Sequence, residues 1–158
     1  MADSIRLATI GTSMISDDLI AAARQVEGIE YVGTLSRNPV NAREFTEKHG
    51  GHRPFTSLEQ LANCPDVDAV YIATPNACHY EQALACVRGD KHVLVEKPLC
   101  SNRYEAQSLY AAASCTLGGA RGHAPRPRPR LGPDLARAAP PGPPSPGDLP
   151  LWQVLLAL

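Results

Sequence analysis

The residues best suited to chemistry fall in four short clusters: Gly11–Ser16, Ser36–Arg37, Ala73–His79 and Glu96–Pro98. Glu96-Lys97-Pro98 is the sharpest. It sets opposite charges side by side in a turn that proline fixes. A lysine so placed holds a substrate hydroxyl and stabilises charge while a hydride moves; the plainer alternative is a surface ion pair, which contributes little. In Ala73-Thr74-Pro75-Asn76, with His79 three residues on, Thr74 and Asn76 are able to bond ribose or phosphate and Pro75 shapes the turn. The alternatives there are a helix cap for Asn76 and a satisfied helix-start histidine for His79.

Gly11-Thr12-Ser13-Met14-Ile15-Ser16 suits a pyrophosphate turn, because backbone approaches an anion closely at a glycine and a helix N-terminus offers free N–H groups. Only the first glycine of the G-x-G-x-x-G pattern is present. Ser13 and Ser16 replace the others, so by itself the motif is weak and an ordinary β-α turn is the competing explanation. Ser36-Arg37 stands where an acid usually holds the ribose 2′-OH of NAD. A hydroxyl followed by arginine suits a 2′-phosphate, so the expected cofactor is NADP, with NAD as the alternative.

The elements that must position these clusters are legible as apolar runs and helical stripes. Ile5–Ile10 is a buried-strand pattern ending at Gly11. Leu19, Ile20, Ala23 and Val26 give a helix over 17–26, with Gly28 closing it. Glu30–Leu35 is a second strand. Asn38 followed by Pro39 has the form of an N-cap with proline at the first helical position, opening a helix to about Lys48. Ser57 with Gln60 opens a short helix in capping-box fashion. Val67–Ala73 is a third strand, 80–87 a helix stopped by Gly89, and His92–Val95 a fourth strand. Asn102 with Glu105 starts a last helix, expected to run to Ala113. The order is β-α-β-α-(β)-α-β-α-β-α, with the bracketed strand optional. It implies a Rossmann-type, doubly wound parallel sheet of the α/β class. Right-handed crossovers then bring Gly11, Ser36, Thr74 and Glu96 to one edge, where ligands of open α/β sheets bind.

Composition is ordinary for a globular chain of 158 residues, with 44% apolar and 20% charged residues and a net charge of −1. Such a balance predicts no pull toward nucleic acid or anionic membrane. The chain carries neither a membrane-length apolar run nor the pattern of a secretory signal at Met1–Asp3, and it reads as cytoplasmic. Cys64, Cys78, Cys86, Cys100 and Cys115 form no C-x-x-C pair and no zinc module, so reduced thiols and no metal site are expected.

The run Val70-Tyr71-Ile72-Ala73-Thr74-Pro75-Asn76 through His79, followed by Lys91-His92-Val93-Leu94-Val95-Glu96-Lys97-Pro98, resembles the Gfo/Idh/MocA oxidoreductases, over roughly residues 4–113. The resemblance implies an N-terminal NAD(P)-binding domain and a C-terminal α/β domain that binds a sugar, cyclitol or other polyol substrate and aids oligomerisation. It implies that Lys97 contacts the nicotinamide ribose and the reacting hydroxyl, with Glu96 and Pro98 beside the cofactor. Thr74, Pro75, Asn76 and His79 match the loop lining the dinucleotide, and Gly11, Thr12, Ser13, Met14 and Ile15 match the pyrophosphate turn. The family's general acid/base histidine belongs to the second domain, which the sequence does not contain; His123 does not take that role.

The expected organisation is a NAD(P)-binding domain over 1–115 and a Pro/Arg-rich, disordered tail over 116–158. Most of the 15 prolines lie in that tail, and from Thr116 onward there is no Ile, Lys, Asn, Tyr, Phe, Glu or Met. Those absences fit a GC-rich gene read in a wrong frame; a genuine Pro/Arg-rich segment is the alternative. Two functions compete: an NAD(P)-dependent dehydrogenase acting on CH–OH groups, represented here by its nucleotide-binding part, and a non-catalytic dinucleotide-binding module or regulator.

Overall fold

The computed structural model describes residues 4–118, and side chains through residue 114. The expected tail, 116–158, lies almost wholly outside the described residues. Four strands, β1 (Ile5–Ile10), β2 (Ile29–Leu35), β3 (Ala69–Ile72) and β4 (His92–Val95), alternate with helices α1 (Met14–Ala23), α2 (Pro39–Lys48), α3 (Leu58–Ala62), α4 (His79–Arg88) and α5 (Arg103–Gly118). All pairings are parallel and the strand order is β2-β1-β3-β4. This is the expected doubly wound Rossmann-type sheet.

The two periods of the strands sort the core. Ala8, Ile10, Val70, Ile72, Val93 and Val95 pack with Leu61 of α3, Ala83, Cys86 and Val87 of α4 and Leu109 of α5. On the opposite face Tyr31 packs with Ile20 of α1 and Phe45 of α2. Strands buried on both faces account for the near-continuous apolar runs in the sequence. Complete burial of Leu109, worth about 1.5–3 kcal/mol, anchors α5 across α4.

Local signals explain most boundaries. Asn38 Oδ1 accepts the Val40 N–H at 2.9 Å with Pro39 at the first helical position. Ser57 Oγ accepts the Gln60 N–H at 3.5 Å, and Asn102 Oδ1 accepts the Glu105 N–H at 3.0 Å. Several details differ from the sequence expectation. Helix α1 begins at Met14, directly after the turn, and ends at Ala23; the apolar residues of its first turn, Met14 and Ile15, are exposed, so they do not continue the buried stripe of Ile20. Gly28, with φ +87°, lies beyond that helix and leads into β2. The optional strand is a single bridge, Leu35 to Phe55; Pro54 brings no N–H with which to extend a ladder. Helix α5 also continues past Ala113 to Gly118.

Candidate functional site

The four clusters meet along one edge. Ile10 pairs with both Leu35 and Ile72, and Ile72 pairs with Val95. The residues just beyond are tied across the sheet: Gly11 N–H donates to Leu35 O at 3.1 Å, Ala73 N–H to Ile10 O at 3.0 Å and Glu96 N–H to Ile72 O at 2.9 Å. The turns after β1, β3 and β4 are thereby set side by side, with Ser36 next to Gly11.

Gly11 has φ +105°, and a Cβ on it would lie 2.5 Å from the carbonyl oxygen of Ala73. Only glycine meets both demands. The turn is braced from beneath: Thr9 Oγ1 donates to Thr34 Oγ1 at 2.8 Å, and Thr34 Oγ1 donates on to the carbonyls of Thr9 and Gly11, each at 3.2 Å. Thr46 Oγ1 accepts the Thr34 N–H at 3.1 Å. Beyond the glycine, Ser13 O receives the N–H groups of Ser16 and Asp17. The N–H groups of Met14 and Ile15 meet no carbonyl of the described chain, and both residues are exposed. Free donors at the positive end of a ten-residue helix suit an anion such as pyrophosphate. Thr12 also borders a hollow of about 240 Å³ shared with Asn41, Glu44, Phe45 and Lys48 of α2. A second hollow, of about 420 Å³, lies between α3 and α4, away from the strand ends.

Ser36 is anchored through its backbone, its N–H donating to Phe55 O at 3.2 Å, and its hydroxyl accepts the Asn38 N–H at 3.3 Å. Arg37 is exposed, and no carboxylate of the described chain pairs with it. A guanidinium held at the strand end without an internal partner fits a ligand phosphate.

Around the other two turns the side chains divide. Pro75 and Asn76 are exposed; Asn76 heads a single 3-10 turn, Asn76–Cys78, with no side-chain cap, so capping does not explain it. Thr74 turns its hydroxyl to Gln82 Oε1 at 2.6 Å. His79 is 1% exposed. Its Nδ1 lies 2.8 Å from Pro98 O and its Nε2 2.8 Å from Thr74 O, so its ring faces the backbone of both turns. Glu96 does not pair with the Lys97 ammonium. Its Oε1 accepts the Tyr71 hydroxyl at 2.6 Å, and its Oε2 accepts the Lys97 N–H at 3.3 Å. Burial first, then the Glu96 carboxylate, pushes the Tyr71 hydroxyl far above the usual tyrosine range, so it stays a donor. Lys97 is exposed with no acidic partner in the described chain, and the Lys97–Pro98 peptide is cis. Thr9, Thr34, Tyr71 and Gln82 are supports that the sequence analysis did not single out. For Thr9, Thr34 and Tyr71 a hydroxyl inside an apolar run was the available signal; Gln82, on α4, gave none.

Parallel strands, a glycine turn at a helix N-terminus and strand-end cations that no carboxylate among the described residues pairs with define a dinucleotide-binding domain of the Rossmann class. The model of the Gfo/Idh/MocA group, described as an oxidoreductase family with an NAD-binding Rossmann fold, matches residues 5–116, and the chain belongs to this NAD(P)-dependent oxidoreductase family. It is 41% identical over 109 residues to scyllo-inositol 2-dehydrogenase (NADP(+)) of Bacillus subtilis, covering 69% of this chain and 33% of that enzyme. It is 38% identical over 108 residues to 1,5-anhydro-D-fructose reductase of Ensifer adhaerens, covering 68% and 32%. Among solved structures, a 3-ketoreductase from Actinomadura kijaniata in complex with TDP-benzene and NADP is 35% identical with a TM-score of 0.66, covering 71% of this chain and 35% of that one. The WlbA dehydrogenase of Bordetella pertussis, in complex with NADH and UDP-GlcNAcA, is 28% identical with a TM-score of 0.66, covering 72% and 35%. The chain thus spans about a third of the length of these relatives.

No helix among the described residues is long and apolar enough to cross a membrane. The described residues also contain no cluster of three or more metal-ligating side chains.

Proposed function

We propose that this chain is the cofactor-binding part of an NADP-dependent oxidoreductase acting on a CH–OH carbon of a sugar, cyclitol or other polyol. The observation that carries the reading is the row of strand-end turns, with N–H groups at Met14 and Ile15 and cations at Arg37 and Lys97 that have no partner among the described residues. In this reading Gly11, Thr12, Ser13, Met14 and Ile15 hold the pyrophosphate. Ser36 and Arg37 hold the 2′-phosphate: strand β2 ends without an acid to claim a free ribose 2′-OH, while a hydroxyl and a free guanidinium suit a dianion. Thr74, Pro75, Asn76, Glu96 and Pro98 shape the wall beside the nicotinamide ribose. When bound, the dinucleotide supplies the hydride acceptor or donor.

Lys97 is the residue assigned to the substrate. Its ammonium donates to the reacting oxygen and stabilises negative charge there. Glu96, held by Tyr71 on one oxygen and by the Lys97 N–H on the other, fixes the backbone from which that lysine extends. The named activities of the two curated relatives, on scyllo-inositol and on 1,5-anhydro-D-fructose, support the polyol and sugar class and favour an enzyme over a regulator. Calorimetric titration of the full chain with NADPH and NADH tests the cofactor assignment. NADPH binding at least about tenfold tighter than NADH, or about 1.4 kcal/mol, is expected; equal affinities would overturn the 2′-phosphate role of Ser36 and Arg37.

A further inference from the structure

Glu96 and Lys97 are neighbours of opposite charge, yet their charged groups do not pair. Tyr71 accounts for this. It stands opposite Leu94 in the β3–β4 register, and a strand returns to the same face every second residue. Glu96 therefore lies diagonally ahead of Tyr71 on one face of the sheet. Tyr71 is 3% exposed, and its hydroxyl donates to Glu96 Oε1 at 2.6 Å. Glu96 is half-buried and Lys97 is exposed. The other carboxylate oxygen, Oε2, accepts the Lys97 backbone N–H at 3.3 Å. Each oxygen of Glu96 thus already has a donor that is not the ammonium.

We propose that Tyr71 is a positioning residue, whose hydroxyl keeps the Glu96 carboxylate off the Lys97 ammonium and so leaves that ammonium to the reacting oxygen. The inference rests on the reading of Lys97 as the cation that meets the substrate. A hydrogen bond from a buried hydroxyl to a charged acceptor outweighs an ion pair with an exposed, flexible lysine, which solvent screens. Glu96 therefore stays with Tyr71. Without the hydroxyl, a half-buried carboxylate oxygen lacks a donor, and the ammonium of the next residue is the cation at hand. Phenylalanine at position 71 keeps the ring that fills this face of β3 and removes only the oxygen. Tyr71 itself lies inside the sheet, so it acts on the site through Glu96 alone.

Acylation of the full chain with the N-hydroxysuccinimide ester of acetic acid, read site by site by mass spectrometry, tests this. An ammonium claimed by a carboxylate gives up its proton less readily and acylates more slowly. In Y71F at about pH 8, Lys97 is expected to acylate at least about threefold more slowly than in wild type. Lys48, which donates to Asp17 at 2.7 Å, is the internal reference and keeps its rate. In the double variant Y71F/E96A the competing carboxylate is gone, and Lys97 is expected to recover the wild-type rate or exceed it. A Lys97 rate in Y71F that is not slowed beyond about 1.5-fold, or a slowed rate that E96A does not restore, would overturn the proposal. Loss of the hydroxyl from a merely structural tyrosine would not slow Lys97 in a way that depends on the Glu96 charge. The assay needs neither cofactor nor substrate, so its failure is distinct from failure of the NADPH titration that tests the cofactor reading.

Discussion

Replacing Gly11 by alanine isolates the turn on which the account of the cofactor edge rests. Two costs follow from the geometry. At φ +105° an L-residue is strained by about 1–3 kcal/mol. The added Cβ would also lie 2.5 Å from the Ala73 carbonyl oxygen, so backbone must move, an overpacking of about 1–3 kcal/mol. Neither partner moves freely. Gly11 N–H is bonded to Leu35 O and Gly11 O to Thr34 Oγ1, and Ala73 is tied to Ile10. Together the variant loses about 2–6 kcal/mol of a stability that is typically 5–15 kcal/mol. Urea unfolding followed by circular dichroism is expected to show a midpoint lowered by more than about 1 M. NADPH titration of whatever remains folded is expected to show affinity reduced more than about tenfold. G28A is the control: φ is +87° there, with nothing within 4 Å of the new Cβ, so it carries the strain alone and keeps NADPH affinity. A G11A chain with an unchanged midpoint and an NADPH affinity within about twofold of wild type would refute the close packing of the two turns.

Three further outcomes are expected. The pair S36D and R37A removes one charge-assisted contact and places a carboxylate beside the proposed 2′-phosphate, so NADPH affinity falls about 10- to 100-fold while NADH binding holds or improves in the same calorimeter. At the opposite end of the sheet Arg6 donates to Asp68 at 2.8 and 2.7 Å; this hydrogen bond, more than the opposing desolvation, holds the Asp68 carboxyl below its ordinary 3.8. Its contribution is present in full above that value and is lost as pH falls through the lower folded one. D68N is therefore expected to melt earlier than wild type at neutral pH, to converge on it at about pH 3 or below, and to leave NADPH binding unchanged. Burial pushes the Cys86 thiol up to about 12, whereas Cys78 is exposed. Mass spectrometry after iodoacetamide treatment of the folded chain should find Cys78 modified and Cys86 intact until denaturant is added.

Much of this architecture is written in local signals. Asn38-Pro39, Ser57 and Asn102 declare their helices because capping chemistry is confined to a few neighbouring residues. The strands declare themselves because burial on both faces removes polar positions. The supports of the site are not legible in that way. Thr9 and Thr34 meet across 25 residues of chain, and Tyr71 reaches Glu96 across another 25, so each pairing exists only once strand register is set. His79 shows the same gap. Its position after Thr74-Pro75-Asn76 suggests a cofactor contact, but only the fold reveals that Pro98 O closes on its second nitrogen. The start of α1 was hidden for a different reason: Met14 and Ile15 of its first turn are exposed at the edge, out of phase with the buried stripe that marks the rest of the helix.

The most direct test of the central claim is a proton–nitrogen amide spectrum of the full chain titrated with NADPH. Shifts concentrated at Gly11–Ile15, Ser36–Arg37, Thr74–Asn76 and Glu96–Lys97 are expected, with the α3–α4 hollow around Ala62 and Gly89 unmoved. Shifts centred on that hollow, or none at any of the four turns at saturating NADPH, would contradict the claim that the strand ends form the dinucleotide site.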